Sequence, residues 1–340
     1  KELFPYDDSW YVKNGITLEK NTGITKIDAA QKTIITDKGN YDYDSLVIAL
    51  GSSGNVPSTP GAELENCFPV RTLADADKIR SLAGAGKKCT IIGGGLLGLE
   101  MAWAIRQLGC DVNIIGNSNR LLPKQIDEEG AKLLYKAISD KGIKLYLGSE
   151  VQEIAGAGRA EYVKLSNGTE IQSDFVILSI GVKANIHTLA NSGINIGRSV
   201  VVDQYMKTNI EGVYAAGDVA EYKGKSYGIW PIAVEQGKIA GINAAGGKAE
   251  YSEIYPFTSL KIKGITMFSI GDIFSEDSLP VVEADFESGR YIKLLIKDGI
   301  ITGSIVFGDS SLPMKIKKAV DNRIKVPEIK EGITIKELIG

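Results

Sequence analysis

The chain has 340 residues, of which 44% are apolar and 24% charged, and its formal net charge is -3. This balance is typical of a globular protein of two or three domains, and it leaves no basic excess to neutralise nucleic-acid phosphates. The longest apolar runs, residues 46–50 and 175–180, are too short to cross a membrane, and the first residues lack the apolar core of a signal peptide. We therefore expect a cytoplasmic protein that binds neither nucleic acid nor membrane.

The thiols and the single imidazole offer no metal site. Cys67, Cys89 and Cys110 lack the spacing of metal ligands or of a redox dithiol. Cys89 and Cys110 are expected to be small, buried side chains. His187 has no neighbouring acid or nucleophile in the sequence, so we expect an exposed residue on a surface helix.

The first predicted elements are short strands and turns over residues 1–68, which end in a loop containing Pro57 and Pro60. An amphipathic helix over residues 71–82 follows, with an apolar residue at every third position. Strands and helices then alternate, which is typical of a parallel sheet with crossover helices. The predicted strands and helices are 89–92, 96–108, 112–115, 127–139 and 143–147.

The second half of the chain begins with a meander over residues 151–172 and a strand over 175–180. A helix is predicted over 231–245. Beyond Tyr251 the pattern changes to antiparallel strands, where Asp298-Gly299 predicts a hairpin between 291–296 and 300–306. With a last helix near 313–320, this section predicts a separate small α+β domain.

A strand that runs into a glycine-rich turn and a helix is the fingerprint of a dinucleotide site. Gly93 allows the tight turn, Gly95 lets the backbone approach a pyrophosphate, and Gly98 lets the helix pack closely on the strand. The helix start then offers N–H groups and a positive dipole end to the phosphates. The predicted cofactor-binding residues here are Gly93, Gly94, Gly95, Leu96, Leu97 and Gly98.

The residue that binds the adenosine ribose is expected about 20 residues after the glycine turn. Gly116 stands there instead of a carboxylate, and no basic residue immediately follows to bind a 2′-phosphate. Asn117 is a possible polar substitute. The sequence leaves NADH and NADPH open, and NADH is slightly favoured.

The tail of this unit occurs twice, over residues 15–51 and 142–181, each with short strands, a turn and a run that closes on Gly51 or Gly181. The glycine turn lies 142 − 93 = 49 residues ahead of the second tail. The matching turn of the first tail would therefore fall before residue 1. The repeat predicts two dinucleotide sites, the first with its phosphate-binding turn outside this sequence.

Two carboxylates and one helix start are candidates for chemistry. Glu100 either faces a nicotinamide and orients a basic partner, or is a solvated carboxylate near a helix start. Asp218, after Gly217, either binds a polyol chain such as the ribityl of a flavin or closes an ordinary Gly-Asp turn. The helix that begins at Pro231 and Ile232 would direct its positive end toward a reduced flavin.

Together these residues resemble the two-dinucleotide flavoprotein reductases of the pyridine nucleotide-disulfide oxidoreductase superfamily. Residues 93–100 match the NAD(P)H turn with its trailing glutamate, and 214–221 match the FAD-binding Gly-Asp motif. Residues 50–51 match a strand end with Leu for Thr, and 180–185 match a Gly-x-x-Pro-Asn segment with Ala for Pro. Over 214–256 the chain is most similar to NADH:rubredoxin oxidoreductases and to the flavoprotein module of assimilatory nitrite reductases.

The resemblance implies an α/β fold with two Rossmann-like, glutathione-reductase-type domains with inserted β-meanders and a small C-terminal α+β domain. The FAD domain would span 1–68 and 185–250, the NAD(P)H domain 69–184, and the last domain 251–340. The implied reaction passes hydride from NAD(P)H to FAD and then electrons to a small iron protein such as rubredoxin. Glu100 would be catalytic at the nicotinamide, and Asp218 would hold the ribityl.

The chain departs from the disulfide reductases, since it lacks their histidine–glutamate pair and larger dimerisation domain. This favours an electron-carrier partner and a monomer or weak dimer. A basic cluster is either suited to steering an acidic rubredoxin or an ordinary solvated helix face. Its members are Lys315, Lys317, Lys318, Arg323 and Lys325. The alternatives are a flavin NADH oxidase or peroxidase, a disulfide reductase, a nitrite reductase electron-transfer module, and a non-enzymatic redox sensor.

Overall fold

The computed structural model describes residues 6–253, 255, 257–327, 329–330 and 333–339. By its internal contacts the chain forms two compact units. The first contains Lys1–Ser52 and Ala184–Ser252, and the second contains Ser53–Lys183 and Glu253–Gly340. Residues 254 and 256, which belong to the motif over 214–256, lie outside the described residues.

The first unit is built on parallel strand pairs and one long helix. Leu46–Ile48 pairs with Val213–Ala215, and Val200–Val202 pairs with Ala220–Tyr222. The helix Trp230–Ala244 contributes buried apolar residues to the core that these strands share. The shorter elements are the helix Asp8–Lys13, the strands Ile24–Asp28, Thr33–Thr36 and Asn40–Asp42, and the 3-10 turns His187–Leu189 and Gly217–Val219.

The helix Asp8–Lys13 is missing from the sequence-based prediction, which has only strands and turns in this region. Asp7 caps the helix by accepting a hydrogen bond from the backbone N–H of Trp10 at 3.0 Å. The rings of Tyr6 and Trp10 stack with their centroids 4.0 Å apart. Six residues are too few for apolar periodicity to reveal a helix, so the capping residue was the one usable signal.

The second unit contains a sheet of five parallel strands, as the alternation of elements predicts. The strands in spatial order are Cys67–Pro69, Phe175–Leu178, Lys88–Ile92, Asp111–Gly116 and Ile143–Leu147. The helices Leu73–Leu82, Leu96–Gln107 and Glu128–Ser139 belong to this part. Cys89 and Cys110 are fully buried, as predicted. Burial raises the pKa of Cys67 to about 12 and also raises that of Cys89, so neither is a ready thiolate.

The two meanders confirm that the repeat is structural. The second meander consists of Val151–Ala155, Tyr162–Leu165 and Glu170–Gln172. Pairing is irregular between Ile24 and Lys26 in the first meander and between Val151 and Glu153 in the second. These positions differ by 151 − 24 = 127, and the two tails of the sequence repeat differ by 142 − 15 = 127. The same local bend therefore recurs at the same place in each copy.

Residues 53–68 belong by their contacts to the second unit, whereas the sequence analysis assigns them to the FAD domain. The strand Cys67–Pro69 extends the edge of the parallel sheet. The carbonyl oxygen of Pro60 also accepts a hydrogen bond from the backbone N–H of Ile154 at 2.8 Å. These long-range hydrogen bonds hold residues 53–68 in the second unit, and no local sequence pattern predicts them. Two short strands, Ser52–Gly54 and Val182–Ala184, stand where the chain passes between the units.

The C-terminal part of the second unit is an antiparallel sheet with two helices. Its strands in spatial order are Phe257–Ser259, Met267–Gly271, Ile300–Phe307, Arg290–Lys297 and Leu279–Asp285. Asp298 and Gly299 form the predicted hairpin turn, both with positive φ as a type I′ turn requires. The helices are Pro313–Asp321 and Ile335–Ile339. Among the described residues, no helix has the length and apolar character needed to cross a membrane.

Asp127 joins the parallel-sheet part of this unit to the antiparallel sheet. It caps the helix Glu128–Ser139, as predicted, by accepting the backbone N–H of Gly130 at 3.2 Å. Its carboxylate also accepts the hydroxyl of Tyr291 at 2.7 Å and the ammonium of Lys293 at 3.0 Å. Burial opposes ionisation, but the hydrogen bonds outweigh burial and hold the pKa of Asp127 below its usual range.

We predict that Asp127→Ala lowers the free energy of unfolding by about 2–4 kcal/mol, because it removes a helix cap and leaves Tyr291 and Lys293 without their hydrogen-bond acceptor. Tyr291→Phe removes one hydrogen bond and should cost about 1 kcal/mol. Lys132→Ala, in an exposed pair with Glu129, is the control and should change stability by less than about 0.5 kcal/mol. Urea denaturation measures all three.

The same carboxylate sets a pH dependence. Because its folded-state pKa is lowered, its contribution to stability is fully present above the unfolded-state pKa of about 4. That contribution is lost as the pH falls through the folded-state pKa. The difference between the wild type and Asp127→Ala should therefore narrow below about pH 4, and a difference that widens there would contradict this assignment.

Candidate functional site

The glycine turn lies at the carboxyl ends of the parallel strands. The strand Lys88–Ile92 ends there, and the backbone N–H of Gly93 donates to the carbonyl oxygen of Ile115 on the neighbouring strand at 2.8 Å. Gly93 has φ +123°, and a Cβ on it would overlap the carbonyl oxygen of Ser179. The turn is therefore wedged between two other strands, and only glycine fits its first position.

The helix Leu96–Gln107 starts directly from this turn. A Cβ on Gly98 would overlap the carbonyl oxygen of Gly93, so the helix backbone lies against the turn. A Cβ on Gly95 would meet nothing within 4 Å. The first N–H groups of the helix have no intrahelical partner and carry the positive dipole end. The packing agrees with the tight turn and close helix approach predicted for Gly93 and Gly98, and this open cradle would fit a pyrophosphate.

Gly94, Leu96 and Leu97 complete the predicted turn. Leu97 is 63% exposed, and Gly94 faces the side chain of Leu121. Gly116 lies beside Gly94, since a Cβ built on it would be 3.9 Å from the backbone nitrogen of Gly94. The position at which the motif predicts ribose binding therefore lies beside the glycine turn in space.

The residues at this ribose position bear on the choice of nucleotide. A Cβ on Gly116 would lie 3.2 Å from a terminal methyl carbon of Leu147, so a side chain there would require Leu147 to shift by a few tenths of an ångström. Asn117 is exposed beside it. Arg120 donates to the carbonyl oxygens of Ile126 at 2.6 Å and of Pro123 at 3.1 Å, so both terminal nitrogens of its guanidinium are engaged.

Glu100 lies one turn further along the helix and is partly buried. Its Oε1 accepts a hydrogen bond from the backbone N–H of Lys261 at 2.8 Å. From the sequence, Glu100 either faces a nicotinamide or is a solvated carboxylate, and no pattern predicts its contact with residue 261. The proximity of Glu100 to a nicotinamide stays a prediction.

The first unit gathers the predicted flavin residues around Asp218. Its carboxylate accepts the hydroxyl of Ser52 at 2.7 Å. The backbone N–H of Gly217 donates to the side-chain oxygen of the buried Gln236 at 3.0 Å. Ser52 and Gln236 thus fix the Gly-Asp turn from two directions, and sequence reasoning missed both. The usable signals were a serine next to Gly51 and an amide on the apolar side of a helix.

Gly51 is held by the segment that the resemblance singled out. The backbone N–H of Asn185 donates to the carbonyl oxygen of Gly51 at 3.0 Å, and its side-chain amide donates to that of Leu50 at 2.9 Å. A Cβ on Gly51 would meet nothing within 4 Å, which leaves its surface open. Gly181 lies in the second unit, where its carbonyl oxygen accepts the backbone N–H of Asn55 at 3.0 Å.

The helix Trp230–Ala244 begins one residue before its predicted start. Pro231 stands in its first turn and is exposed, whereas Ile232 is buried in the core. The N–H groups of Trp230 and Ile232 precede the first intrahelical hydrogen bond, which Ala233 donates to Ile229. The helix start therefore presents backbone donors, and Ile232 anchors it.

Two remaining predictions concern the surface. His187 is exposed and opens a single 3-10 turn rather than a longer helix. In the basic cluster, Lys317 forms an ion pair with Asp321, while Lys318, Arg323 and Lys325 are exposed. Lys315 is exposed as well.

Comparison with protein families finds two matches. Residues 9–237 match the model described as pyridine nucleotide-disulphide oxidoreductase. Residues 256–324 match the model described as the rubredoxin NAD+ reductase C-terminal domain.

Individual relatives agree with the family matches. An NADH-rubredoxin oxidoreductase of Clostridium acetobutylicum is 36% identical, over 93% of this chain and 79% of the relative. A crystal structure of NADH:rubredoxin oxidoreductase from that organism covers 96% of this chain and 82% of its own, with a TM-score of 0.77 and 33% identity. A nitrite reductase [NAD(P)H] of Bacillus subtilis is 33% identical over 96% of this chain, which spans 41% of that relative's length. The expected superfamily and α/β fold class are confirmed.

We predict that Gly98→Ala and Gly95→Ala separate folding from binding. Gly98→Ala forces a methyl group into the carbonyl oxygen of Gly93 and should lower the free energy of unfolding by about 2 kcal/mol or more. The methyl group of Gly95→Ala would lie in open space, so the free energy of unfolding should change by less than about 1 kcal/mol. Its affinity for NADH should nevertheless fall about ten-fold or more, because the methyl group occupies the approach of the pyrophosphate.

Thermal unfolding and quenching of protein fluorescence by NADH measure the two effects. If Gly95→Ala binds NADH as tightly as the wild type, the phosphates do not lie at this helix start.

Proposed function

The chain belongs to the pyridine nucleotide-disulphide oxidoreductase family, and from this premise we propose that it is an FAD-dependent NAD(P)H oxidoreductase. In this proposal it passes electrons to rubredoxin or to a similar small iron protein. The observation that carries the proposal is the glycine cradle at Gly93 and Gly95 in a chain whose residues 256–324 match a rubredoxin reductase C-terminal domain. The name of the Clostridium acetobutylicum relative adds support.

In this function each unit holds one nucleotide. The cradle and the start of the helix Leu96–Gln107 bind the pyrophosphate of NAD(P)H. Asp218, oriented by Ser52, accepts hydrogen bonds from the ribityl hydroxyls of FAD. The start of the helix Trp230–Ala244 supplies the positive dipole end that stabilises negative charge on the reduced ring. When bound, FAD takes up a hydride and releases electrons singly.

We also propose that NADH is preferred to NADPH. A 2′-phosphate is usually bound by a cation next to the ribose, and no basic residue stands at positions 116–119. Arg120 already donates from both terminal nitrogens to backbone carbonyls, and the exposed Lys124 lies further along the same loop. Asn117 is left as the polar residue that binds a ribose hydroxyl.

A second candidate function is an electron-transfer module of a nitrite reductase. The Bacillus subtilis relative favours it, because this chain aligns along nearly its whole length with two fifths of that protein. Both functions share the same reductive half and differ in the acceptor. We further propose a cytoplasmic protein, since its three cysteines are free thiols, and a monomer or weak dimer.

Anaerobic stopped-flow mixing tests the proposed function. We predict that NADH bleaches the bound flavin about ten-fold or more faster than NADPH at equal concentration, because no basic residue at positions 116–119 compensates the desolvated 2′-phosphate. In a second mix, oxidised rubredoxin should reoxidise the flavin much faster than air-saturated buffer does. Rapid reoxidation by oxygen alone would favour an oxidase, and a flavin that NADH does not reduce would rule out the proposal.

We propose the exposed side of the helix Pro313–Asp321 as the carrier-binding surface. Ile316, Ala319 and Val320 are buried on its inner side. On the outer side Met314 is 73% exposed among the exposed members of the basic cluster. An apolar contact ringed by cations is suited to a small acidic protein.

We predict that Lys318→Glu lowers the second-order rate of carrier reduction about three- to ten-fold at low ionic strength, because charge steers the encounter. The loss should shrink in about 0.5 M salt, which screens such charges. Lys136→Glu makes the same charge change on the helix Glu128–Ser139 and should have little effect. Equal losses in the two variants would show that only net charge matters and would exclude this surface.

A further inference from the structure

The C-terminal domain reaches the helix of the nicotinamide site at one carboxylate. Oε1 of Glu100 accepts the backbone N–H of Lys261, which begins a tight loop between two strands of the antiparallel sheet. Among the described residues, the Glu100 carboxylate receives no second hydrogen bond. Its other oxygen, Oε2, is therefore available to a donor outside the chain.

The loop that supplies this N–H is rigidly placed. Leu260, Ile262 and Ile265 are buried in the same apolar core as Leu99 and Ile105 of the helix. The backbone N–H of Ile265 donates to the carbonyl oxygen of Ile262 at 3.0 Å and closes the turn. The side chain of Lys261 is exposed, so its backbone makes the contact.

A second contact holds the loop on the same side of the helix. The ammonium of Lys141 donates to the carbonyl oxygen of Lys263 at 2.7 Å and lies 4.4 Å from the ring centroid of Trp103. Trp103 follows Glu100 by three positions, so the two share one face of the helix. The loop thus contacts the helix directly at Glu100 and, through Lys141, at Trp103.

We propose that the backbone N–H of Lys261 is a positioning group for the nicotinamide site: it fixes Glu100 so that Oε2 meets the amide of the nicotinamide. This rests on the proposed function. A carboxylate held by one oxygen loses rotamer freedom before the nucleotide binds, which lowers the cost of binding. The C-terminal domain then prepares the hydride-donor site in addition to offering a surface to the carrier.

A double-mutant cycle tests the proposal on the FAD-loaded protein. Lys261→Pro deletes the N–H, whereas the matched Lys261→Ala keeps it and removes only an exposed side chain. We expect Lys261→Pro to weaken NADH binding and slow flavin reduction about five- to ten-fold, and Lys261→Ala to stay within about two-fold of the wild type. Glu100→Ala should weaken both by about ten-fold or more, and adding Lys261→Pro to it should change neither further.

A readout without nucleotide comes from amide exchange of Lys261, which should be protected in the wild type and exposed to exchange in Glu100→Ala. If Lys261→Pro does not fold, Glu100→Asp breaks the same bond from the other side, since it keeps the charge but is too short to reach. It should reproduce the weakened binding.

The outcomes separate the two claims. If Glu100→Ala binds and oxidises NADH normally, Glu100 does not contact the nicotinamide and the positioning role of Lys261 fails with it, while the proposed function stands. If Glu100→Ala is impaired but Lys261→Pro behaves like Lys261→Ala, or if the two effects multiply, the positioning role of Lys261 is overturned while the proposed function stands.

Discussion

The glycine turn of the second unit depends on one steric constraint, the approach of three backbone segments so close that a methyl group does not fit between them. Gly98 lies against the carbonyl oxygen of Gly93, and Gly93 lies against that of Ser179. Side chains at either glycine would push the helix away from the sheet and close the cradle. The helix start is thereby held near the strand ends, and its first N–H groups have no intrahelical partner. The binding of an anion follows from packing and needs no charged side chain.

The first unit, where we propose the flavin site, fixes its loops by hydrogen bonds. Its Gly-Asp turn is held by Ser52 and Gln236, which come from the two separate segments of the unit. Asn185 fixes the strand end at Gly51. The two units share the meander, down to the position of an irregular pairing, but they stabilise their loops differently. The same meander is therefore compatible with two differently stabilised loops, at which we propose two different nucleotide sites.

Much of the fold could be predicted from the sequence because it depends on local sequence patterns. The alternation of strands and helices, the Asp298-Gly299 hairpin and the Asp127 cap each depend on residues within a few positions. The contacts of Glu100 with Lys261 and of Ser52 with Asp218 join residues more than 150 positions apart, and no periodicity reports them. The engagement of Arg120 depends on where its loop folds back, which the sequence does not state. Local rules therefore predicted the elements and turns around the candidate site, while long-range hydrogen bonds decide how its residues are oriented.

Amide hydrogen exchange with and without saturating NADH tests most directly the claim that this glycine cradle is the nicotinamide nucleotide site. The account predicts that NADH slows exchange at residues 94–99 and at Asn117, while the meander strands over 151–172 exchange at unchanged rates. Unchanged exchange over residues 94–99, with slowing elsewhere in the chain, would contradict it.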